Sequence, residues 1–299
     1  MSAEGALVGA LVGDCVGAPY EGAPAVDRSR ARRRVERALR RAPLRYTDDT
    51  ELTLALAEHL ADDADLTRPD DFVARILARY DDRRGYGGGM RRLVSLWRAG
   101  HDHRQAATAV FADGSLGNGA AMRAAPVGVR WRDAPDRLAE VARRQAEVTH
   151  VHPIGIDAAV VQAAAVALAA REGAFTAGHI AALAPATAEL RSGLAAAGAL
   201  PAVTAPHEAA GALGTGVAAH RSLPAALWCA AVSADVAEAV TVAVALGGDA
   251  DTIASMAGAV RGAAGGPASL PATWLDALEG LDETRRAAHR LAADDEGLR

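Results

Sequence analysis

The chain has 299 residues, of which 51% are hydrophobic, and a formal net charge of −5. It is long and apolar enough for one large core or two closely packed ones, and its acidic balance excludes binding of polyanions through overall charge. All 32 basic residues are arginine, a bias shared with GC-rich bacterial genomes, and two cysteines, Cys15 and Cys229, exclude a disulfide framework and point to a reducing compartment.

Residues 1 to 5 have no basic segment leading into an apolar run, which argues against a signal peptide. The longest apolar stretch, residues 158 to 170, is interrupted by Gln162 and is shorter than the roughly 20 residues of a spanning helix. A soluble cytoplasmic protein with no membrane partner is expected. No long exposed apolar stripe is legible, so a monomer is the default.

In chain order, residues 5 to 14 place Leu7, Ala10 and Leu11 on one helical face, with glycines at 5, 9 and 13 that let a second helix pack closely. A buried helix is predicted there. Gly17, Pro19 and Gly22 then break regular structure and leave Glu21 in a loop. The arginine-rich run from Arg28 to Arg41 lacks interleaved aromatic residues for base stacking, so it reads as a solvated helix or loop, and no stable nucleic-acid partner is expected.

The segment Tyr46-Thr47-Asp48-Asp49-Thr50 starts a helical pattern that continues through Leu52, Leu56 and Leu60. One acid or hydroxyl suffices as a helix cap, whereas a second adjacent acid repels the first and asks for a cation. Near the other end, Gly247-Gly248-Asp249-Ala250-Asp251-Thr252 repeats the arrangement. Together the two clusters offer four carboxylates and hydroxyl oxygens, the all-oxygen donors that Mg²⁺ and Mn²⁺ take.

Between them, further helices are predicted over residues 71 to 80 and 91 to 97, separated by the glycine-rich loop around Tyr86 and Gly87. His101 and His103 read as surface residues. The run Asp113-Gly114-Ser115-Leu116-Gly117-Asn118-Gly119 is a glycine-rich loop opening a helix, able to present backbone N–H groups to phosphate. It is neither a Walker loop nor a Rossmann fingerprint, and Ser115 lacks the frame of a hydrolase nucleophile. His150 and His152, each taken alone, read as packing or capping histidines. Residues 172 to 211 have weak periodicity, divided by prolines into short helices or loops. Helices over 223 to 232, 236 to 246 and 252 to 263 and a polar tail from 271 to 299 complete the chain, and the scarcity of strand signals makes the fold all-α.

Five motifs in order then carry a resemblance: Gly13-Asp14 through Glu21, Tyr46 to Thr50, Gly114 to Arg123, Thr149-His150, and Gly247 to Ala254. Together they resemble the ADP-ribosylglycohydrolase family, over residues 5 to 274 and weakly across 172 to 211. The Arg84-Gly85-Tyr86-Gly87 loop and the segment from Gly214 to Pro224 are most similar to the branch that removes ADP-ribose from serine and cleaves poly(ADP-ribose) and O-acetyl-ADP-ribose.

The resemblance implies a compact single domain, an orthogonal helical bundle over residues 1 to 299 with a central site for two Mg²⁺ or Mn²⁺ ions. Thr47, Asp48, Asp49, Asp249, Asp251 and Thr252 would hold the metals. Asp113 to Gly119 would hold the diphosphate, with His150, Val217, Tyr86 and Gly87 also against the ligand. Glu21 matches the glutamate of a flap, and Glu21 and Asp48 are the candidates for proton transfer and sugar contact. The implied activity is metal-dependent hydrolysis at C1″ of ADP-ribose, with ADP-ribosylated proteins as partners. An arginine-linked specificity is the near alternative, and a non-catalytic ADP-ribose-binding module the alternative from another class. Leu116 replaces an aromatic residue that sandwiches adenine in the serine branch, leaving Phe111 or another residue to stack. Ala250 replaces a threonine.

Overall fold

The computed structural model describes residues 2–293; Met1 and residues 294–299, the end of the expected polar tail, lie outside the described residues. Among them, α1 (Ser2–Gly17), α2 (Arg28–Leu39), α3 (Asp48–Asp62), α4 (Pro69–Arg79), α5 (Gly88–Arg98) and α6 (His103–Val110) form the first third. Then come α7 (Gly119–Met122), α8 (Ala125–Arg130), α9 (Pro135–Glu147) and α10 (Pro153–Glu172). The last part comprises α11 (Ala177–Ala182), α12 (Ala188–Ala199), α13 (Pro206–Leu213), α14 (Ala219–Ala231), α15 (Val236–Leu246), α16 (Ala250–Gly265), α17 (Ala272–Leu275) and α18 (Leu281–Ala293). No strand occurs among the described residues, only isolated bridges such as Ala23 with Gly248 and Gly117 with Ala218.

The centre is the pair α1 and α16. Glycines recur every fourth residue in α1, and they make a groove in which the backbones meet: a Cβ at Gly9 would lie 2.2 Å from the carbonyl oxygen of Gly258, and one at Gly13 would lie 2.1 Å from that of Ala254. Only glycine permits this approach. The contact continues to Gly17, where a Cβ would lie 2.6 Å from Asp251 Cα, so the close packing brings the C-terminal end of α1 against the N-terminal end of α16. The second acidic cluster is thereby set beside Asp14 and the Glu21 loop.

Around this pair lies a single apolar core that draws on α3, α8, α10, α14 and α15. Helix α10 is 20 residues long with mean hydropathy 1.7, long and apolar enough to cross a bilayer by those measures, which corrects the expectation that this stretch is too short. The helix starts at Pro153 rather than at residue 158, because His152 Nδ1 accepts from Ile154 N (3.2 Å) as its cap. In the fold it is an inner helix, 67% of the apolar window being buried, and Gln162 donates to the Met256 carbonyl at 3.1 Å.

The arginine-rich run forms α2, capped by Asp27, with Ala31, Val35 and Ala38 inward and most of its arginines in solvent. The weakly periodic stretch resolves into α11, α12 and α13, short helices separated at Pro185, Pro201 and Pro206, where proline cannot continue a preceding helix.

Candidate active site

The start of α3 is built by a residue from α1. Asp14 is fully buried and its carboxylate accepts from Thr47 N (3.0 Å), Thr50 N (3.0 Å) and the Thr50 hydroxyl (2.6 Å). Burial pushes Asp14 up, while these hydrogen bonds pull it back. Thr47 is the N-cap, its hydroxyl accepting from Asp49 N at 3.3 Å. Asp48 and Asp49 follow in the first turn, and Asp49 is 2% exposed.

The start of α16 is set by the glycine pair before it. Gly247 and Gly248 have φ of +70° and +68°, and a Cβ at Gly248 would lie 2.2 Å from the Thr215 carbonyl oxygen. This reversal lets Asp249 N donate to Thr215 O (2.7 Å) and lets Gly22 N donate to Gly248 O (2.7 Å), tying the Glu21 loop to the second cluster. Across the gap the Thr252 hydroxyl donates to Asp49 Oδ2 at 3.1 Å.

The glycine-rich loop joins from the third side. Asn118 Nδ2 donates to Asp249 Oδ2 (2.5 Å) and to Ser222 Oγ (3.1 Å), while Asn118 N donates to Val217 O (2.9 Å). Gly117 N donates to Ser115 Oγ at 3.2 Å. With Gly114 N donating to Phe111 O (2.9 Å), three loop amides are occupied within the protein, and those of Ser115, Leu116 and Gly119 have no partner among the described residues.

These three structures enclose a cavity of about 290 Å³. Its acidic side is lined by Glu21, Thr47, Asp48, Asp49, Asp249, Asp251 and Thr252, and its loop side by Ser115, Gly117, Asn118, Gly119, His150 and Val217. Gly85, Gly87 and Gly89 form another edge. Asp113, Gly114 and Leu116 do not line it: Asp113 is exposed, and Leu116 is 40% exposed on the outer side of the loop. Tyr86 is also off the lining. It is 2% exposed, with its hydroxyl donating to Glu51 Oε2 at 2.6 Å, because the inward-facing Glu51 needs a donor; the ring thus anchors the loop while the glycines face the cavity.

Sequence reasoning passed over three groups here. Asp14 lies inside the first motif, and its signal is a lone acid four residues beyond Ala10 on the buried, apolar stretch of α1. Leu52, Met90, Leu93 and Met122 make an apolar wall, joined by Phe111, the residue the sequence offers for stacking, which is 46% exposed at the mouth. Arg123 and Thr149, which also line the cavity, form a buried polar network with Gln145 against His150.

Electrostatically the acidic side is unbalanced. Among the described residues no ion pair reaches Asp48, Asp49, Asp249 or Asp251, and Asp49 Oδ1 is buried without a hydrogen bond. Burial, then the neighbouring acids, push Asp48 and Asp251 up to about 8 and Asp49 well above the usual carboxylate range. Glu21 is raised by burial and by Asp249. As the side chains stand, no three acids among the described residues converge tightly enough to chelate an ion. The donor set nevertheless suits a hard divalent cation: it is all oxygen, includes an orphaned carboxylate atom, and has no ion-paired arginine or histidine among the described residues to offset its repulsion.

Comparison with known proteins places this geometry in context. The chain is 32% identical to human ADP-ribosylhydrolase ARH3 over 96% of this chain and 92% of the human protein, and 31% identical to the bovine ARH3 over 96% and 91%. It is 34% identical to the ADP-ribosyl-[dinitrogen reductase] glycohydrolase of Rhodospirillum rubrum over 50% of this chain and 51% of that one. A solved structure described as an ADP-ribosylglycohydrolase-related protein complex superposes with a TM-score of 0.73 at 29% identity, covering 98% of both chains. The ADP-ribosylglycohydrolase profile matches residues 2–298, and the chain belongs to that family.

Proposed function

We propose that the protein is a divalent-metal-dependent ADP-ribosylhydrolase that cleaves the C1″ O-glycosidic bond of ADP-ribose, with serine-linked ADP-ribose as its first substrate and poly(ADP-ribose) or O-acetyl-ADP-ribose as related ones. The observation that carries this reading is the meeting of two acid-and-hydroxyl helix starts, with no cation of their own, against a loop that has free backbone amides. The family and its ARH3 relatives support the same reaction class.

Thr47, Asp48, Asp49, Asp249, Asp251 and Thr252 are the residues that would hold two Mg²⁺ or Mn²⁺ ions. Such ions supply Lewis-acid stabilisation of oxygen ligands and lower the pKa of bound water. The chain's own groups supply the remainder. The free amides of Ser115 and Gly119 and the His150 ring bind the diphosphate, while the apolar wall with Phe111 takes the adenine. Glu21 stands at the rim with its proton affinity raised, suited to give a proton to the leaving oxygen as an oxocarbenium-like state develops and to take one back from water. Asp48, on the same acidic wall, is the candidate contact to the sugar. The buried free Cys15 and Cys229 suit a reducing, cytoplasmic setting, and the scattered exposed large hydrophobics suit a monomer.

The test is release of free ADP-ribose from serine-linked and arginine-linked ADP-ribosyl peptides, side by side, in Mg²⁺, Mn²⁺ and EDTA. Metal-dependent release from the serine peptide alone is expected. Release from the arginine peptide alone would move the specificity, and binding of ADP-ribose with no release from either would refute the hydrolase reading.

A further inference from the structure

At the inner wall of the cavity, beside the glycine-rich loop, lies a buried arginine with no carboxylate. Arg123 ends the short α7, is 1% exposed and makes no ion pair among the described residues. An uncompensated buried guanidinium is costly, so its hydrogen-bond partners have to hold it firmly. Its Nε donates to Gln145 Oε1 (2.8 Å), and its Nη2 donates to Gln145 O (2.8 Å) and to Thr149 Oγ1 (2.8 Å). Gln145 is itself fixed, donating through Nε2 to Ala120 O at 2.9 Å. The guanidinium lies 5.5 Å from the centre of the Phe72 ring.

The consequence passes through Thr149. Its hydroxyl oxygen lies 2.7 Å from His150 Nδ1 and 3.5 Å from the Ala146 carbonyl oxygen, and it has one proton to give. Arg123, donating onto that oxygen, polarises the O–H and makes it a stronger donor. The short contact is then Thr149 O–H to Nδ1, which leaves the imidazole hydrogen on Nε2. That edge faces the loop: a Cβ at Gly119 would lie 3.6 Å from Nε2 and one at Gly117 3.8 Å. The cation also disfavours a second proton on the ring, and burial with Arg123 pushes His150 down to about 3.

We propose that Arg123 and Thr149 are positioning residues that lock His150 as a neutral Nε2–H donor toward the Ser115–Gly119 loop, where it meets the diphosphate of ADP-ribose. The diphosphate half of this statement rests on the function proposed above; the tautomer half does not. A neutral ring held through Nδ1 offers an anion one fixed donor at no cost of reorientation, whereas an unheld ring would present Nδ1–H or Nε2–H in turn.

The experiment uses the full-length protein with ¹⁵N-labelled histidine, comparing wild type, Thr149→Val and Thr149→Ser. Long-range ¹H–¹⁵N spectra are expected to show His150 as the Nε2–H form in wild type and Thr149→Ser, and as a mixture or the Nδ1–H form in Thr149→Val. Calorimetric affinity for ADP-ribose should fall about tenfold in Thr149→Val and recover in Thr149→Ser, the scale of one lost hydrogen bond. With serine-linked peptide the loss should appear in KM and leave kcat within about twofold. An Nδ1–H ring in wild type, or an unchanged tautomer and affinity in Thr149→Val, overturns the proposal. A tautomer switch in a protein that releases no ADP-ribose from any peptide would uphold the lock and remove the hydrolase reading instead.

Discussion

Thr252 donates its hydroxyl to Asp49 Oδ2 at 3.1 Å, so two residues 203 positions apart join the starts of α3 and α16. Asp49 is left with Oδ1 buried and unpartnered, and its carboxyl is pushed well above the ordinary range by burial and by Asp14, Asp251 and Asp48. Asp49→Asn removes that repelled charge. The metal-free variant should gain on the order of 1 kcal/mol, roughly 2–4 °C in Tm, while turnover falls by about a hundredfold or more. Thermal melts in EDTA beside the peptide assay decide it: a variant that melts lower would mean that the acid stabilises the metal-free fold.

Metal loading should release protons. Asp48 and Asp251 rise from 3.8 to about 8 in the metal-free protein, so between those values the folded state binds more protons than the unfolded one. The contribution of these two acids to stability therefore falls as pH rises from about 4 to 8 and is level above that window. Titrating Mg²⁺ at pH 7 in two buffers of different ionisation enthalpy should reveal roughly one to two protons released per chain. Asp48→Asn combined with Asp251→Asn should abolish the release and flatten that part of the pH dependence of Tm.

Glycine substitutions should have opposite signs at two positions. Gly9→Ala puts a methyl group 2.2 Å from the Gly258 carbonyl oxygen, where both atoms belong to rigid helix backbone, and should cost about 2–3 kcal/mol in urea denaturation. Gly211 lies inside α13, exposed, where a Cβ would point into open space, so Gly211→Ala should stabilise by about 0.5–1 kcal/mol. Equal effects would show that the α1–α16 contact is looser than described.

Phe111 is the aromatic group on the cavity wall, and Leu116 points outward. Phe111→Ala should raise KM for ADP-ribosyl substrates roughly tenfold with little change in kcat, because a stacked base is lost but the reacting sugar is untouched. Measured steady-state kinetics with an unchanged KM would place the adenine elsewhere.

Much of the candidate site is legible in the sequence. Thr47-Asp48-Asp49 and Asp249-Ala250-Asp251-Thr252 announce themselves because acids crowd a helix start without a cation nearby in sequence, and a helix start is a local feature. The glycine spacing of α1 foretold a close helix partner, though nothing local named α16. Tyr86 shows the limit. In a run of glycines an aromatic ring reads as a ligand contact, yet its direction depends on Glu51, which lies 35 residues away.

The sequence by itself determined the all-α class, the helix starts, the motif order and hence the family resemblance, since periodicity and capping depend on neighbours within a turn or two. Only the tertiary structure decided which loop amides are free, that Asp14 holds the start of α3, and that Arg123 stands beside His150. Those outcomes rest on contacts such as Asn118 with Asp249, 131 residues apart, where burial removes water as an alternative partner and makes each unpaired polar group select its mate from whatever the fold brings near.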